Sequence, residues 1–423
     1  MLLPPINFCI STIANILLYV SLSKTNQTFF PKNFIKRHSP TRRISHSIQR
    51  QLFWKGGESL QSFPKNQEPP SFVVVTDSIN EESLNPLGSI TTLCEELSQL
   101  CGDSNIDFYV TTLKKLLTNE LTGYKRSENG WTLMNVTAPS IIHNRIHSRR
   151  LERTKEFKLL NSSLFSQQIP FFNARFLNKL EVFKALIDSA YIKPYVPYTE
   201  ECCSVEQLEN FIQKYETVFI KPIHGSQGRN IFKVTKDHDS YRLKYSQNSE
   251  VEVEYKSISQ LFHPIKQQLN KRTFIIQEGL PLISKDNRLV DFRFLCHKNK
   301  FNKWEVTSTV ARIGHPTQFV SNLARGGDLL KIDEFLGQYL PKKERIHFKK
   351  LLVELAIECC KCIDSSFDGL FAEFGVDLAI DNQMNPWVIE INSKPSKDLQ
   401  VFDPNQKIRP STKAIFSLVQ SYL

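Results

Sequence analysis

Gly375-Val376-Asp377-Leu378-Ala379-Ile380, a polar break from Asp381 to Asn385, and Pro386-Trp387-Val388-Ile389-Glu390-Ile391-Asn392-Ser393-Lys394-Pro395 form the stretch from which the rest of the chain is read. Two apolar, β-rich runs around a turn predict an antiparallel hairpin. Side chains alternate along a strand, so Glu390 and Asn392 share one face, and the hairpin brings Asp377 beside them. Carboxylates side by side among apolar strands repel unless a cation bridges them. Asp377, Glu390 and Asn392 therefore predict a site for Mg²⁺, or Mn²⁺ in its place, completed by the phosphates of a nucleotide. An ordinary hairpin with outward-facing acids is the competing reading, and the upstream segments decide between the two.

Immediately upstream, Leu289-Val290-Asp291-Phe292-Arg293-Phe294-Leu295 alternates so that Asp291 and Arg293 point the same way. Alone they read as an ion pair. Arg312 in Val310-Ala311-Arg312, and the polar, Gly-rich Ser321-Asn322-Leu323-Ala324-Arg325-Gly326-Gly327, change the picture. Converging arginines suit the spread charge of a phosphoryl group in transfer, which makes Arg293 and Arg312 the candidate catalytic cations, with Asp291 and Asn322 as candidate nucleotide contacts. Thr273-Phe274-Ile275-Ile276-Gln277-Glu278-Gly279-Leu280 is an apolar strand giving way to polar residues and glycine. An adenine ring fits against such a hinge, with main-chain groups of Gln277, Glu278, Gly279 and Leu280 meeting its edge, although a plain core strand reads the same way. Further upstream, Val218-Phe219-Ile220-Lys221-Pro222 and Ile231 to Val234 flank the loop Ile223-His224-Gly225-Ser226-Gln227-Gly228-Arg229-Asn230. Glycines at 225 and 228 let N–H groups from His224 to Gly228, Ser226 and Gln227 included, approach a polyphosphate, and Lys221 supplies a point charge. Such a loop by itself is more often an ordinary hairpin.

Beyond this region the chain carries a helical segment from Lys179 to Asp188, and before it an α/β pattern: Phe72-Val73-Val74-Val75 as a buried parallel strand, a helix from Ile90 to Leu100, and strands at Phe108-Tyr109-Val110 and Ser140-Ile141-Ile142. A Pro-rich linker from Ser62 to Pro70 sets off the N-terminus. The expected division is a small basic β-rich unit at 1–62, an α/β domain at 71–165 and a larger α/β domain at 171–423. The net charge of +11 is concentrated in the first unit, where Met1 to Gly57 holds eight Lys and Arg and no Asp or Glu. That stretch reads as a solvated basic face, and no nucleic-acid motif accompanies it. Ile6 to Ser23 lacks a basic start and contains Asn7, Ser11, Thr12 and Asn15, so it reads as strand, turn and strand, with no membrane span. Nine cysteines without regular spacing fit a reducing cytoplasm, and Cys359, Cys360 and Cys362 read as buried thiols. Thirty Phe supply real cores, and the absence of repeats excludes a solenoid.

Taken together and in order, the Lys-bearing strand with its Gly-rich loop, the hinge, the D-x-R strand and the D…E-x-N hairpin resemble the ATP-grasp superfamily. Three stretches are similar to the YheC/YheD family of endospore-coat-associated ATP-grasp proteins: Pro139-Ser140-Ile141-Ile142-His143-Asn144-Arg145-Ile146-His147-Ser148-Arg149-Arg150, Lys221-Pro222-Ile223-His224-Gly225-Ser226, and Ile389-Glu390-Ile391-Asn392-Ser393-Lys394-Pro395-Ser396. The resemblance implies an α/β (α+β) ATP-grasp fold over most of 171–400, preceded by a small pre-ATP-grasp α/β domain and a small β domain. It implies a spore-forming, low-GC bacterial source and association with spore-coat proteins. Lys179, in Asn178-Lys179-Leu180-Glu181, is implied to reach the ATP phosphates beside Lys221. Val196-Pro197-Tyr198-Thr199 matches the superfamily's V-P-x-T. The implied reaction joins a carboxylate to an amine through an acyl-phosphate at the expense of ATP. A non-catalytic ATP-binding coat or assembly protein is the alternative, and the paired arginines favour catalysis. One departure stands: Val75-Thr76-Asp77-Ser78 replaces the usual small-residue loop after the first α/β strand.

Overall fold

A computed structural model describes residues 51–55, 59–63, 68–80, 82–83, 85–118, 120–128, 130–225, 228–316, 319, 327–396 and 407–423. All of them fall in one compact unit, Arg50–Leu423. The strands expected around Ile6 to Ser23 lie outside the described residues. Strands β1 (Gln51–Lys55) and β2 (Ser59–Phe63) pair antiparallel, so Ser62, expected to open a linker, ends a hairpin instead.

The first large sheet contains β3 (Ser71–Thr76) and, after helix α1 (Thr91–Gly102), β4 (Asp107–Thr112). The short helix α2 (Leu113–Leu116) leads to β5 (Thr122–Ser127), β6 (Gly130–Asn135) and β7 (Ile141–Asn144), and helix α3 (Lys155–Ser166) to β8 (Phe171–Phe172). Their order is β6-β5-β4-β3-β7-β8. Strand β3 runs parallel to β4 and β7, as its unbroken apolar run predicts for a strand covered on both faces. Phe72 and Val74 enter one core, Val73 and Val75 the other, following the period of two. The antiparallel β5–β6 hairpin at the sheet edge is an addition that the sequence reading lacks.

The second sheet is antiparallel. After helix α4 (Lys179–Asp188) come β9 (Thr199–Cys202), α5 (Val205–Tyr215), β10 (Thr217–Pro222), β11 (Phe232–Asp237), β12 (Ser240–Tyr245), β13 (Asn248–Tyr255), α6 (Ile258–Leu269) and β14 (Phe274–Glu278). The order is β13-β12-β11-β10-β14-β9. Val218, Ile220 and Ile276 bury against Leu208 and Ile212 of α5 and Leu261 and Ile265 of α6. Alternation then leaves Lys221 and Gln277 on the face away from these helices.

The third sheet follows as β15 (Ser284–Lys285), β16 (Arg288–Lys298), β17 (Trp304–Ile313), β18 (Asp328–Leu330), helices α7 (Ile332–Leu336) and α8 (Lys342–Ser366), β19 (Glu373–Ile380), β20 (Pro386–Asn392) and helix α9 (Pro410–Gln420). Its order is β18-β17-β16-β19-β20. Phe292, Phe294, Val376 and Leu378 share a core with Leu352, Leu355, Cys359 and Cys360 of α8, where the two cysteines are buried thiols. Odd-numbered Asp291, Arg293 and Asp377 consequently face the opposite side. Helix α9 packs on β16 and β17 of this sheet and on α1 beyond it. Its Ile415, Phe416, Leu418 and Val419 complete the core around Phe72, Leu93 and Leu97 of the first sheet. Among the described residues no helix is long and apolar enough to cross a membrane.

Candidate nucleotide and metal site

The expected hairpin forms as β19 and β20, with Asp377 opposite Glu390, Gly375 opposite Asn392, and a register shift just after Asp377. Asn392 Nδ2 lies 3.5 Å from Asp377 Oδ2, so the three oxygen-bearing side chains share a face. Each carboxylate is already compensated by cations. Arg293 grips both Asp377 oxygens, with Nη2 donating to Oδ2 at 2.9 Å. Arg312 donates from Nη2 to Asp291 Oδ2 at 2.7 Å and lies 3.0 Å from Asp377 Oδ2. Burial alone would raise the Asp377 pKa, but Arg293 and Arg312 outweigh it and hold the carboxyl below its usual range. Gly375 makes this grip possible, since a Cβ there would stand 2.8 Å from Pro395 Cβ and 3.3 Å from Arg293 Nη1.

Helix α4 begins at the same face. A capping box between Asn178 and Glu181 starts it, and Lys179 Nζ pairs with Glu390 Oε1. Beside it Lys221 Nζ donates to Gln277 Oε1 at 2.6 Å, and Gln277 Nε2 donates to Thr199 Oγ1 at 2.8 Å. Burial, reinforced by the Lys179 charge and opposed by Glu390, pulls the Lys221 pKa down to about 8. His224 is exposed, Gly225 follows it, and Gly228 has a φ of 63°, in the left-handed region that suits glycine. Ser226, Gln227 and Asn322 lie outside the described residues.

The hinge is narrower than expected. Glu278 N–H donates to the Tyr198 carbonyl at 3.0 Å, and its Oε1 accepts from Tyr198 N–H at 2.7 Å. Gly279 N–H donates to the Thr217 carbonyl at 2.8 Å, in an approach so close that a Cβ would sit 2.7 Å from that oxygen. The N–H groups of 278 and 279 thus hold the strand junction, and a ligand edge must use other main-chain groups, with Leu280 at the open end.

Two carboxylates and an amide on one face suit a hard divalent cation, and no group of three His, Cys, Asp or Glu among the described residues offers a rival metal site. Arg293, Arg312 and Lys179 balance the acids of this face, so a metal ion bound there must share or displace their contacts.

A second set of residues was missed in the sequence as part of the site. Arg145, at the end of β7, pairs with buried Glu373 and donates from Nη2 to the Pro395 carbonyl at 2.9 Å. His143 and His297 flank Glu373 at 3.4 and 3.2 Å. Lys394 Nζ donates to the Ile146 carbonyl at 3.0 Å and pairs with Glu152. The tail of the β19–β20 hairpin is therefore bolted to the first sheet. Asp77, from the loop that departs from the family pattern, accepts the N–H groups of His147 and Ser148, both at 2.8 Å, and so braces this junction. The available signal was the polar, basic run His143 to Arg150 directly after an apolar strand.

A family model described as YheC/D like ATP-grasp matches residues 168–421. The chain is 27% identical over 316 residues to the endospore coat-associated protein YheD of Bacillus subtilis (strain 168), covering 73% of this chain and 67% of YheD. It is 23% identical over 293 residues to the endospore coat-associated protein YheC of the same organism, covering 67% of this chain and 78% of YheC. Among solved structures, the VanG D-Ala:D-Ser ligase of Enterococcus faecalis superposes with a TM-score of 0.50 at 12% identity, over 84% of this chain and all of that one, a likeness of fold.

Proposed function

Because the chain belongs to the YheC/D-like ATP-grasp family, we propose that it binds ATP with Mg²⁺ and spends it to join a carboxylate to an amine. The observation that carries this reading is the convergence of Lys179, Arg293 and Arg312 on the hairpin face that holds Asp377, Glu390 and Asn392, with Lys221 within the field of Lys179 and Glu390. The region from 71 to 165 would act as the pre-ATP-grasp domain and 171–423 as the ATP-grasp domain. The coat-associated names of the two Bacillus relatives support an association with the spore coat.

In this reading Lys179, Lys221 and the loop from His224 to Gly228 hold the phosphates, and the hinge from Gln277 to Leu280 holds the adenine. Asp377, Glu390 and Asn392 would hold Mg²⁺ or Mn²⁺, which when bound supplies neutralising charge at the phosphate oxygens. Lys179 then exchanges Glu390 for a phosphate oxygen. The substrate carboxylate attacks the γ-phosphorus and ADP leaves; the amine next attacks the acyl carbon, phosphate leaves and the amine gives up a proton. Arg293 and Arg312, already fixed by Asp377 and Asp291, meet the charge on the transferring group without reorganising.

Calorimetry tests the reading. Chelating Mg²⁺, or replacing Glu390 by Gln, should each weaken ATP binding by about tenfold, the effect of losing a direct metal contact. Unchanged affinity in both would refute the metal assignment. ADP release against pools of amino acids, peptides and small carboxylates then identifies the substrates.

A further inference from the structure

The two lysines at this site are held differently. Lys179 of α4 pairs with a carboxylate, Glu390, whereas Lys221 near the end of β10 donates to an amide, Gln277 Oε1, at 2.6 Å. Gln277 is 2% exposed and sits on β14 between two other strands, opposite Phe219 of β10 on one side and Thr199 of β9 on the other. Its Nε2 donates to Thr199 Oγ1 at 2.8 Å, and Thr199 Oγ1 in turn donates to the Pro197 carbonyl at 2.8 Å. The Lys221 ammonium also stands 5.4 Å from the centre of the Phe219 ring. Residues from three adjacent strands thus form one chain of hydrogen bonds that ends on the lysine.

The direction of each proton in this chain is fixed by what the groups are able to do. An ammonium only donates, so Gln277 turns its carbonyl oxygen to Lys221 and its NH2 to Thr199. Thr199 Oγ1 accepts there, and its own proton goes to the Pro197 carbonyl, which only accepts. Without that hydroxyl the buried amide is free to turn over, and a turned amide presents to Lys221 a donor that opposes its charge. A carboxylate in place of the amide would hold the ammonium but neutralise it. We propose that Thr199 and Gln277 are positioning residues: Thr199 fixes the orientation of the Gln277 amide, and the amide holds the Lys221 ammonium charged, unneutralised and ready for the nucleotide phosphates. An arriving phosphate then displaces a neutral acceptor, which costs less than stripping a buried acid of its partner. The inference rests on the ATP-binding reading and gives the Gln277 side chain a task apart from the main-chain contacts of the hinge.

The test follows Lys221 in two ways in the full-length protein. Labelling with acetic anhydride across pH, read at Lys221 by peptide mass spectrometry, gives the titration midpoint of the nucleotide-free lysine, expected near pH 8 in the parent. Calorimetry gives the MgATP affinity at neutral pH. Thr199→Val keeps the shape and loses the hydroxyl, so the midpoint should fall by about one pH unit and MgATP should bind about fivefold more weakly, the effect of one hydrogen bond. Thr199→Ser should match the parent in both. Gln277→Glu should raise the midpoint by about one pH unit or more and still weaken MgATP, because its carboxylate neutralises the ammonium and repels phosphate. The charges already acting on Lys221, from Lys179 of α4 and Glu390 of β20, stay in place in every variant. A Thr199→Val midpoint equal to the parent's, or the same shift in Thr199→Ser, overturns the proposal, the second by tracing the effect to shape. So does a shifted midpoint with unchanged MgATP affinity, which removes Lys221 from the phosphates. If Thr199→Val does not fold, the Gln277→Glu midpoint decides, and no rise there overturns the proposal. A parent that fails to bind MgATP refutes the ATP reading instead, and the labelling still decides whether Thr199 orients the amide.

Discussion

Lys221 carries a charge that the fold makes expensive. With its pKa pulled down to about 8, the native state binds fewer protons than the unfolded chain between about pH 8 and the ordinary lysine range near 10.5. The burial cost is therefore fully felt below pH 8, and stability should rise as the pH climbs through that window. Lys221→Met should flatten this slope in urea melts taken from pH 8 to 10. An arriving polyphosphate reverses the burial effect, so MgATP binding at pH 8 should take up a proton, seen as a binding enthalpy that varies with the ionisation enthalpy of the buffer. Lys221→Met should abolish that variation, which separates Lys221 from Lys394, also pulled down to about 8 but paired with Glu152. Arg293 makes a different demand, since its fork matches both Asp377 oxygens. Arg293→Lys keeps the charge and loses the fork, so MgATP affinity should hold while ADP release falls about 10²-fold. Equal turnover would remove Arg293 from the catalytic set. At this scale the sequence identified the acidic and basic side chains, because strand alternation dictates which of them share a face. It did not reveal that Arg312 spans Asp291 and Asp377, since that depends on three neighbouring strands at once.

Among the elements, the β19–β20 hairpin was legible because both its strands are apolar, alternate cleanly and meet at a polar turn. Its neighbour β16 was legible for the same reason. What the pattern concealed was the reason for Gly375, which looks like a strand glycine to be tolerated and instead leaves room for Pro395 and Arg293. Gly375→Ala should destabilise the protein by about 1–3 kcal/mol through overpacking, measured by urea unfolding. Hinge strand β14 shows the opposite limit. Its apolar run predicted a strand, but the commitment of the Glu278 and Gly279 N–H groups to Tyr198 and Thr217 depends on strands β9 and β10 lying at either side.

Across the whole molecule, helix α9 ties the C-terminus to the first sheet. Arg409 donates to Glu96 of α1 at 2.9 Å, and Leu418 sits in the core with Phe72 and Leu93. Leu418→Ala should cost about 2–5 kcal/mol, with a single unfolding transition shifting as a whole if the first and third sheets melt together. Two separated transitions would show that the sheets unfold independently. Removing Met1 to Gln49, which precedes the described unit and carries six of the basic residues, should leave MgATP affinity unchanged and release the remainder from anionic spore fractions at lower salt.

Composition, alternation and turn chemistry were enough to determine the β–α–β core around Phe72 to Val75 and the Asp377, Glu390 and Asn392 face, because each depends on short-range patterns within one stretch of chain. Tertiary structure alone decided that Arg145 reaches Glu373 and Pro395, that Lys394 reaches Glu152, and that α9 belongs to the first core. Those contacts join segments more than 200 residues apart, where local periodicity carries no information and only the packing of sheets against one another selects the partner.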